Sequence, residues 1–257
     1  ISYNYKKDIH IKTKNGSVSC GKLVFAINAW TPNFLPFLSR SAVLVSSDMI
    51  ISEPIKYQLQ SLGLNNGLVI LDSNLFTHYS RTTPDGKIIL GKGGNTFSFR
   101  NKVIDSFDGP STIEKLLKKS LLSFYPSLKD AKITTSWNGP SERTKTGFPF
   151  FGYHPKNKNI SYAFGYSGNG VLTCHVGGEI LSSMTLDENN KWTDSNFCKG
   201  PLKNFPPEPF RWLGAMIIRN AVRRKENAQE KEINPKWIDK QLAKIAVSVG
   251  RVDFEKK

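Results

Sequence analysis

Residues 162–181, YAFGYSGNGVLTCHVGGEIL, put an apolar run, a knot of small residues and a helix-forming segment in direct succession. That order predicts a buried strand, a sharp turn and a helix of about four turns. Gly165, Gly168 and Gly170 let the backbone adopt angles closed to other residues and let a bulky group approach closely, because no Cβ intervenes. The first amides of the helix lack intrahelical partners and stand at the positive end of its dipole. The turn therefore reads as a seat for an electron-rich ligand, framed by Gly165, Tyr166, Ser167, Gly168, Asn169, Gly170 and Val171. A Cβ at Gly168 or Gly170 is expected to intrude on that ligand, whereas loss of the Ser167 hydroxyl is expected to be mild.

The flanking patterns extend this unit in both directions. Ile9 and Ile11 alternate with polar residues, Asn15-Gly16 is a hairpin turn, and Val18 and Cys20 resume the alternation. LVFAINAW (23–30) is apolar on both faces and reads as a buried parallel strand that ends at Thr31-Pro32. Residues 41–95 read as an antiparallel layer: AVLVSSDMIISEP, GLVILD, and a hairpin, LFTHYSRTTPDGKIILGKGG, turning at Pro84-Asp85-Gly86. Ser111 to Glu114 has the form of a capping box, opening a helix with Ile113, Leu116, Leu117, Leu121 and Phe124 at helical spacing. ITTSW (133–137) is strand-like and leads into the turn-rich NGPSERTKTGFPFFG. Past Pro209, Phe210, Leu213, Gly214, Ile217, Ile218, Ala221 and Val222 form one apolar stripe opposite a row of arginines, as in a helix docked on its parent domain.

Bulk properties remove several classes of function. A chain of 257 residues, 39% hydrophobic, can bury a substantial core. No apolar run approaches the roughly 18 residues of a membrane span, and ISYNYKKDIH lacks the regions of a signal peptide. Cys20, Cys174 and Cys198 are an odd number at wide spacing, which fits reduced thiols in a cytoplasm. The net charge of +15 is spread out, and its densest run, Arg223-Arg224-Lys225, is followed by Glu226, Glu230 and Glu232. No nucleic-acid partner is expected, and attraction for anionic small molecules accounts for the same charge.

Specific chemistries narrow in the same way. His10, His78, His154 and His175 have no companion at metal-ligand spacing, so no metal is expected. Gly91-Lys92-Gly93-Gly94 matches a phosphate loop only in composition and reads as a turn at a strand end. Gly165-Tyr-Ser167-Gly-Asn falls one residue short of a hydrolase nucleophile elbow, and the only histidine after Ser167, His175, precedes both Asp187 and Asp194.

GKLVFAINAW, HYSRTTPDGKIILGKGG, SWNGPSERTKTGFPFFG, AFGYSGNGVLTCHVGGEIL and NFPPEPFRWLGAMIIRNAVRRKE, in this order, resemble the C-terminal part of FAD-dependent amine oxidoreductases of the D-amino-acid oxidase and glycine oxidase superfamily, nearest to its aminophosphonate branch. The resemblance runs over essentially the whole chain. It implies an α/β fold of mixed α+β character: a partial Rossmann-type FAD domain (1–40 and 132–187), an inserted antiparallel-sheet substrate domain (41–131) and a C-terminal helical extension (188–257). It implies FAD as cofactor, with Asn28, Ala29, Trp30, Gly139 and the 165–171 turn beside it, and the turn at the pyrimidine end of the ring.

The implied reaction moves a hydride from the carbon next to a neutral amine to flavin N5, giving an imine that water hydrolyses. Tyr79 and Arg81, two apart and on one strand face, are the first substrate-contact candidates, and Arg143 is the second. No residue stands out as a certain catalytic group. The chain contains no G-x-G-x-x-G turn for the ADP half of FAD, so that half is expected from a missing N-terminal segment or a complementing chain. The substrate is expected to be a small amine, an aminoalkylphosphonate first, with γ-glutamylputrescine or glycine and D-amino acids as alternatives. A truncated remnant without catalysis is the remaining reading.

Overall fold

β11 (Asn157–Phe164) shows why the opening stretch folds as a strand that delivers the chain into a turn. Ile160, Tyr162 and Phe164 alternate into one core with Ile9, Phe25, Leu35, Leu38 and Phe150. Ala163 points the other way, into a second core with Phe151, Ile180, Leu181 and Met184. Period-two alternation with apolar residues at both parities buries both faces.

The computed structural model describes residues 1–5, 8–201 and 203–248. The other strands are β1 (Ser2–Asn4), β2 (Ile9–Lys12), β3 (Ser17–Cys20), β4 (Leu23–Phe25), β5 (Ala42–Ser52), β6 (Val69–Leu71), β7 (His78–Thr82), β8 (Ile88–Phe97), β9 (Ile133–Thr144) and β10 (Phe150–His154). The helices are α1 (Thr31–Phe34), α2 (Lys56–Ser61), α3 (Glu114–Phe124), α4 (Gly170–Thr185), α5 (Phe210–Glu230) and α6 (Trp237–Ser248). The chain divides into two compact units, Ile1–Val43 with Glu142–Arg211, and Leu44–Ser141 with Trp212–Val247. The first unit thus runs on to Arg211, and Trp212–Val247 belongs to the second. None of the described helices is long and apolar enough to cross a membrane.

The first unit holds an antiparallel β1-β2-β3 meander and the sheet β10-β11-β4, in which β4 runs parallel to β11. The parallel strand expected over 23–30 is shorter than its apolar run. It stops at Phe25, Asn28 takes a left-handed φ of 48°, and a 3-10 turn over Asn28–Trp30 leads into α1 with Pro32 in its first turn. Left-handed backbone cannot continue a strand, and proline's fixed φ starts a helix instead.

The second unit is a five-stranded sheet, β6-β7-β8-β5-β9, with antiparallel β6/β7, β7/β8 and β5/β8 pairs. Its core joins Ile50, Ile88 and Leu90 of the sheet to Leu117 and Leu121 of α3. The capping box over 111–114 does not form: α3 starts at Glu114 without a side-chain cap. Ser111 Oγ instead donates to Asp48 Oδ1 at 2.7 Å and the Glu114 carboxylate accepts from Ser136 Oγ at 2.6 Å, so tertiary partners outcompete the local cap. β9 runs through Thr144, into what the sequence showed as turn. Gly91 to Gly94 lie inside β8 and are no strand-end turn. Tyr79 Cε2 and Met49 Sδ would stand 2.1 and 2.3 Å from a Cβ on Gly91, and the Phe76 ring 2.3 Å from one on Gly94, so these glycines make room for side chains.

In the first unit β4 has no strand neighbour on its outer side among the described residues. Val24 and Ile27 beside that edge are more than a third exposed, and Val171 and Leu172 on α4 are 97% and 83% exposed. Such surface favours self-association. The protein is expected to gain scattering intensity with concentration in light-scattering runs, and the double substitution Val24→Lys, Leu172→Lys to reduce that gain. Equal behaviour of the two proteins would show the surface to be inert.

Candidate functional site

The turn between β11 and α4 is built on the end of β9. Gly165, Ser167 and Gly168 have φ of 88°, 55° and 86°, three left-handed residues in four. Two are glycines, which take that conformation freely; a serine there costs energy that its surroundings must supply. Thr144 supplies it: its amide donates to Ser167 Oγ at 3.1 Å, its Oγ1 lies 3.1 Å from the same oxygen, and Ser167 Oγ donates to the Gly165 carbonyl. Ser167 is 5% exposed. This hydroxyl is a structural fastening, buried and engaged on every side shown, which argues against a hydrolytic nucleophile.

Glu142 holds the preceding residue. Its carboxylate, 4% exposed, accepts from the Tyr166 amide at 2.9 Å. Burial pushes its pKa up, opposed in part by the backbone amides of Glu142, Tyr166 and Gly165 and by the Arg143 charge. Arg143, between these two residues, lies over Gly168, where a Cβ would come 2.3 Å from Nη1 and 2.9 Å from Cζ. Gly168 is therefore required by its φ, and a side chain there would also displace the guanidinium. Gly170 differs: its φ is not left-handed and the nearest atom to a Cβ is Cys174 Sγ at 3.5 Å, so the fold itself leaves room there.

Tyr166 packs edge-on against Phe151 at 6.3 Å, and its hydroxyl takes the space that a Cβ on Gly177 of α4 would fill. Burial pushes its pKa up to about 12, so it stays neutral. Asn169 precedes α4 without a side-chain cap bond, and Gly168 and Asn169 are exposed. The helix end thus presents backbone amides rather than a capping side chain. The same unit carries Asn28, buried Ala29 and Trp30, the last 42% exposed.

The other predicted residues belong to the second unit. Gly139 lies in β9, and nothing comes within 4 Å of a Cβ placed on it. Tyr79 and Arg81 share one face of β7, opposite Gly91 and Ile89 on β8. The Tyr79 ring rests over Gly91, its hydroxyl lies 2.5 Å from Ser47 Oγ, and Arg81 is exposed. Sequence reasoning missed Glu142, Thr144 and Ser47. The strand alternation of Glu142 and Thr144 was available, but a turn-rich composition masked it.

A family profile for FAD dependent oxidoreductases matches residues 3–184. The chain belongs to that family. It is 26% identical over 188 residues to the probable oxidoreductase OrdL of Haemophilus influenzae, covering 71% of this chain and 40% of the relative. It is 27% identical over 211 residues to the gamma-glutamylputrescine oxidoreductase of Escherichia coli, covering 80% and 46%. Its fold is similar to that of glycine oxidase from Geobacillus kaustophilus, with a TM-score of 0.59 and 16% identity over 77% of this chain and 50% of that one. The chain thus spans about half the length of the proteins it matches. The residues of the turn fit the family's cofactor: left-handed glycines and a helix end without a capping side chain leave backbone amides for an electron-rich ligand.

Two outcomes are expected from this geometry. Ser167→Ala leaves the buried Thr144 amide without an acceptor and should cost about 1 to 3 kcal/mol in chemical denaturation, against little change for Gly170→Ala. For Glu142, a carboxyl whose folded pKa is raised destabilises the fold progressively as it ionises. The stability of Glu142→Gln relative to the unsubstituted protein should therefore rise from about pH 4 to pH 7, and a flat difference would show the carboxylate to be fully compensated.

Proposed function

We propose that this chain provides the isoalloxazine seat and the substrate sheet of an FAD-dependent oxidoreductase that oxidises the C–N bond of a small anionic amine, first of all an aminoalkylphosphonate. The observation that carries this reading is the strand-turn-helix cradle of residues 165–171, held by Glu142 and Thr144, in a chain of the FAD dependent oxidoreductase family. FAD, when bound, accepts the hydride from the carbon beside the amine. The chain's own part is placement and charge.

Gly165, Gly168 and Gly170 allow close approach of a flat ring, with Asn28, Ala29 and Trp30 of the same unit as further contacts. The positive end of α4 favours a ring that gains negative charge on reduction, an effect of about 0.3 to 1 kcal/mol at an exposed helix end. Tyr79, fixed over Gly91 and against Ser47, offers an aromatic face, and Arg81 beside it offers a guanidinium that pairs with a phosphonate or carboxylate through two parallel hydrogen bonds. Arg143 is the second cation proposed for this role. A gamma-glutamylputrescine-like amine is the second reading, favoured by the 27% identity over 211 residues to the Escherichia coli enzyme.

The test compares substrates in the protein at the length in which cells make it. Arg81→Ala or Arg143→Ala should lower kcat/KM for 2-aminoethylphosphonate by roughly thirty- to a thousandfold, the equivalent of about 2 to 4 kcal/mol, and much less for an uncharged amine of similar size. Equal losses on both would leave the arginines a structural role. Turnover confined to gamma-glutamylputrescine would establish the second reading.

A further inference from the structure

α5 lies outside the family-matched residues 3–184, yet through Glu226 it reaches Phe76, in the segment that leads into the strand of Tyr79 and Arg81. Two of its arginines, expected on the solvent side, reach inward. Arg219 Nη1 and Arg223 Nη2 both donate to the Asn95 carbonyl at 3.0 Å, and Trp212 Nε1 donates to the Phe97 carbonyl at 3.2 Å. Leu213 and Ile217, from the expected docking stripe, are 48% and 55% exposed.

One turn further on, Glu226 enters a buried chain of charged groups. Its Oε1 accepts from the Phe76 amide at 3.1 Å, and its Oε2 is 4.0 Å from Lys92 Nζ. Lys92 Nζ donates to the Phe76 carbonyl at 2.8 Å and reaches His78 Nε2 at 3.3 Å. An ammonium only donates, so His78 accepts at Nε2 and gives its Nδ1 proton to Asp72 Oδ2 at 2.6 Å. Asp72 also accepts from the amides of Asn74 and His78. Both backbone groups of Phe76 are therefore held by charged side chains, three residues before Tyr79, while its ring fills the space over Gly94. Burial pushes the Lys92 pKa down, against the charges of Glu226 and Asp72. A buried ammonium of this kind needs its carboxylate partners.

We propose that α5 is a brace for the substrate strand, in which Glu226 acts as the positioning residue for the 72–79 segment and hence for Tyr79 and Arg81. The substrate part rests on the proposed function; the brace itself does not. Hydrogen exchange followed by mass spectrometry tests the brace on the protein as it stands. Glu226→Ala should speed exchange over 72–79 by about tenfold, with the α3 segment 114–124 unchanged, and Glu226→Gln, which keeps an acceptor for the Phe76 amide, by no more than about twofold. If Glu226→Ala fails to fold, Glu226→Asp, which withdraws the carboxylate by one methylene, should speed exchange in the same segment alone. No change over 72–79, or equal loss of protection across the second unit, would overturn the brace.

In the flavoprotein, Glu226→Ala should raise KM for 2-aminoethylphosphonate by about tenfold with kcat held within about twofold. Faster exchange with KM unmoved would overturn the substrate role. Absence of amine oxidation in the unsubstituted protein would overturn the proposed function and leave the exchange result to decide the brace.

Discussion

The fastening of the 165–168 turn to the end of β9 is the constraint from which the rest of the first unit follows. Three left-handed residues in four are unfavourable for a free chain, and they persist because Glu142, Arg143 and Thr144 each engage a different part of the turn. The turn fixes where α4 begins, and α4 with β11 encloses the Phe151–Met184 core. A long β9 is thus more than a sheet edge: its last three residues set the geometry of the cradle. A buried carboxylate in that position is costly, and the amides it accepts from return part of the cost.

Much of the fold was legible because it rests on local period. The strand before the turn, the Asn15-Gly16 hairpin, the β7/β8 hairpin and the four-turn helix after Gly170 all follow from alternation, turn chemistry or glycine placement. What stayed hidden depends on partners distant in sequence. Ser111 and Glu114 look like a capping box until Asp48 and Ser136 compete for them. Residues 138–144 look like a turn because Gly, Pro and Ser dominate, yet a strand forms where Thr144 finds Ser167, 23 positions away.

Glycine shows the same division within one residue type. At 165 and 168 it answers a backbone demand, visible in the sequence as a cluster at a strand-helix junction. At 91 and 177 it answers a packing demand from the Tyr79 ring and the Tyr166 hydroxyl, which no local pattern announces. The candidate site was correspondingly half legible. The cradle could be read from composition, while the means by which Tyr79 is held could not.

The amphipathic C-terminal helix carries the same lesson for charge. An arginine row opposite an apolar stripe reads as solvent side and core side, because separate transfer of each residue favours that orientation. The second unit reverses it for Arg219, Arg223, Leu213 and Ile217: carbonyls at Asn95 and Phe97 accept from donors of α5, and Ala221 and Val222 are buried. Pairing such carbonyls offsets the exposure of two aliphatic side chains that are only about half uncovered. Part of the +15 charge is therefore structural, since Arg219 and Arg223 serve a backbone carbonyl of the same unit. Under the proposed function, preference for an anionic substrate would fall to individual cations in defined places. Arg81 on the exposed face of β7 and Arg143 over Gly168 are the cations proposed for it; Glu226 holds the segment that leads into β7, and Glu142 holds the turn.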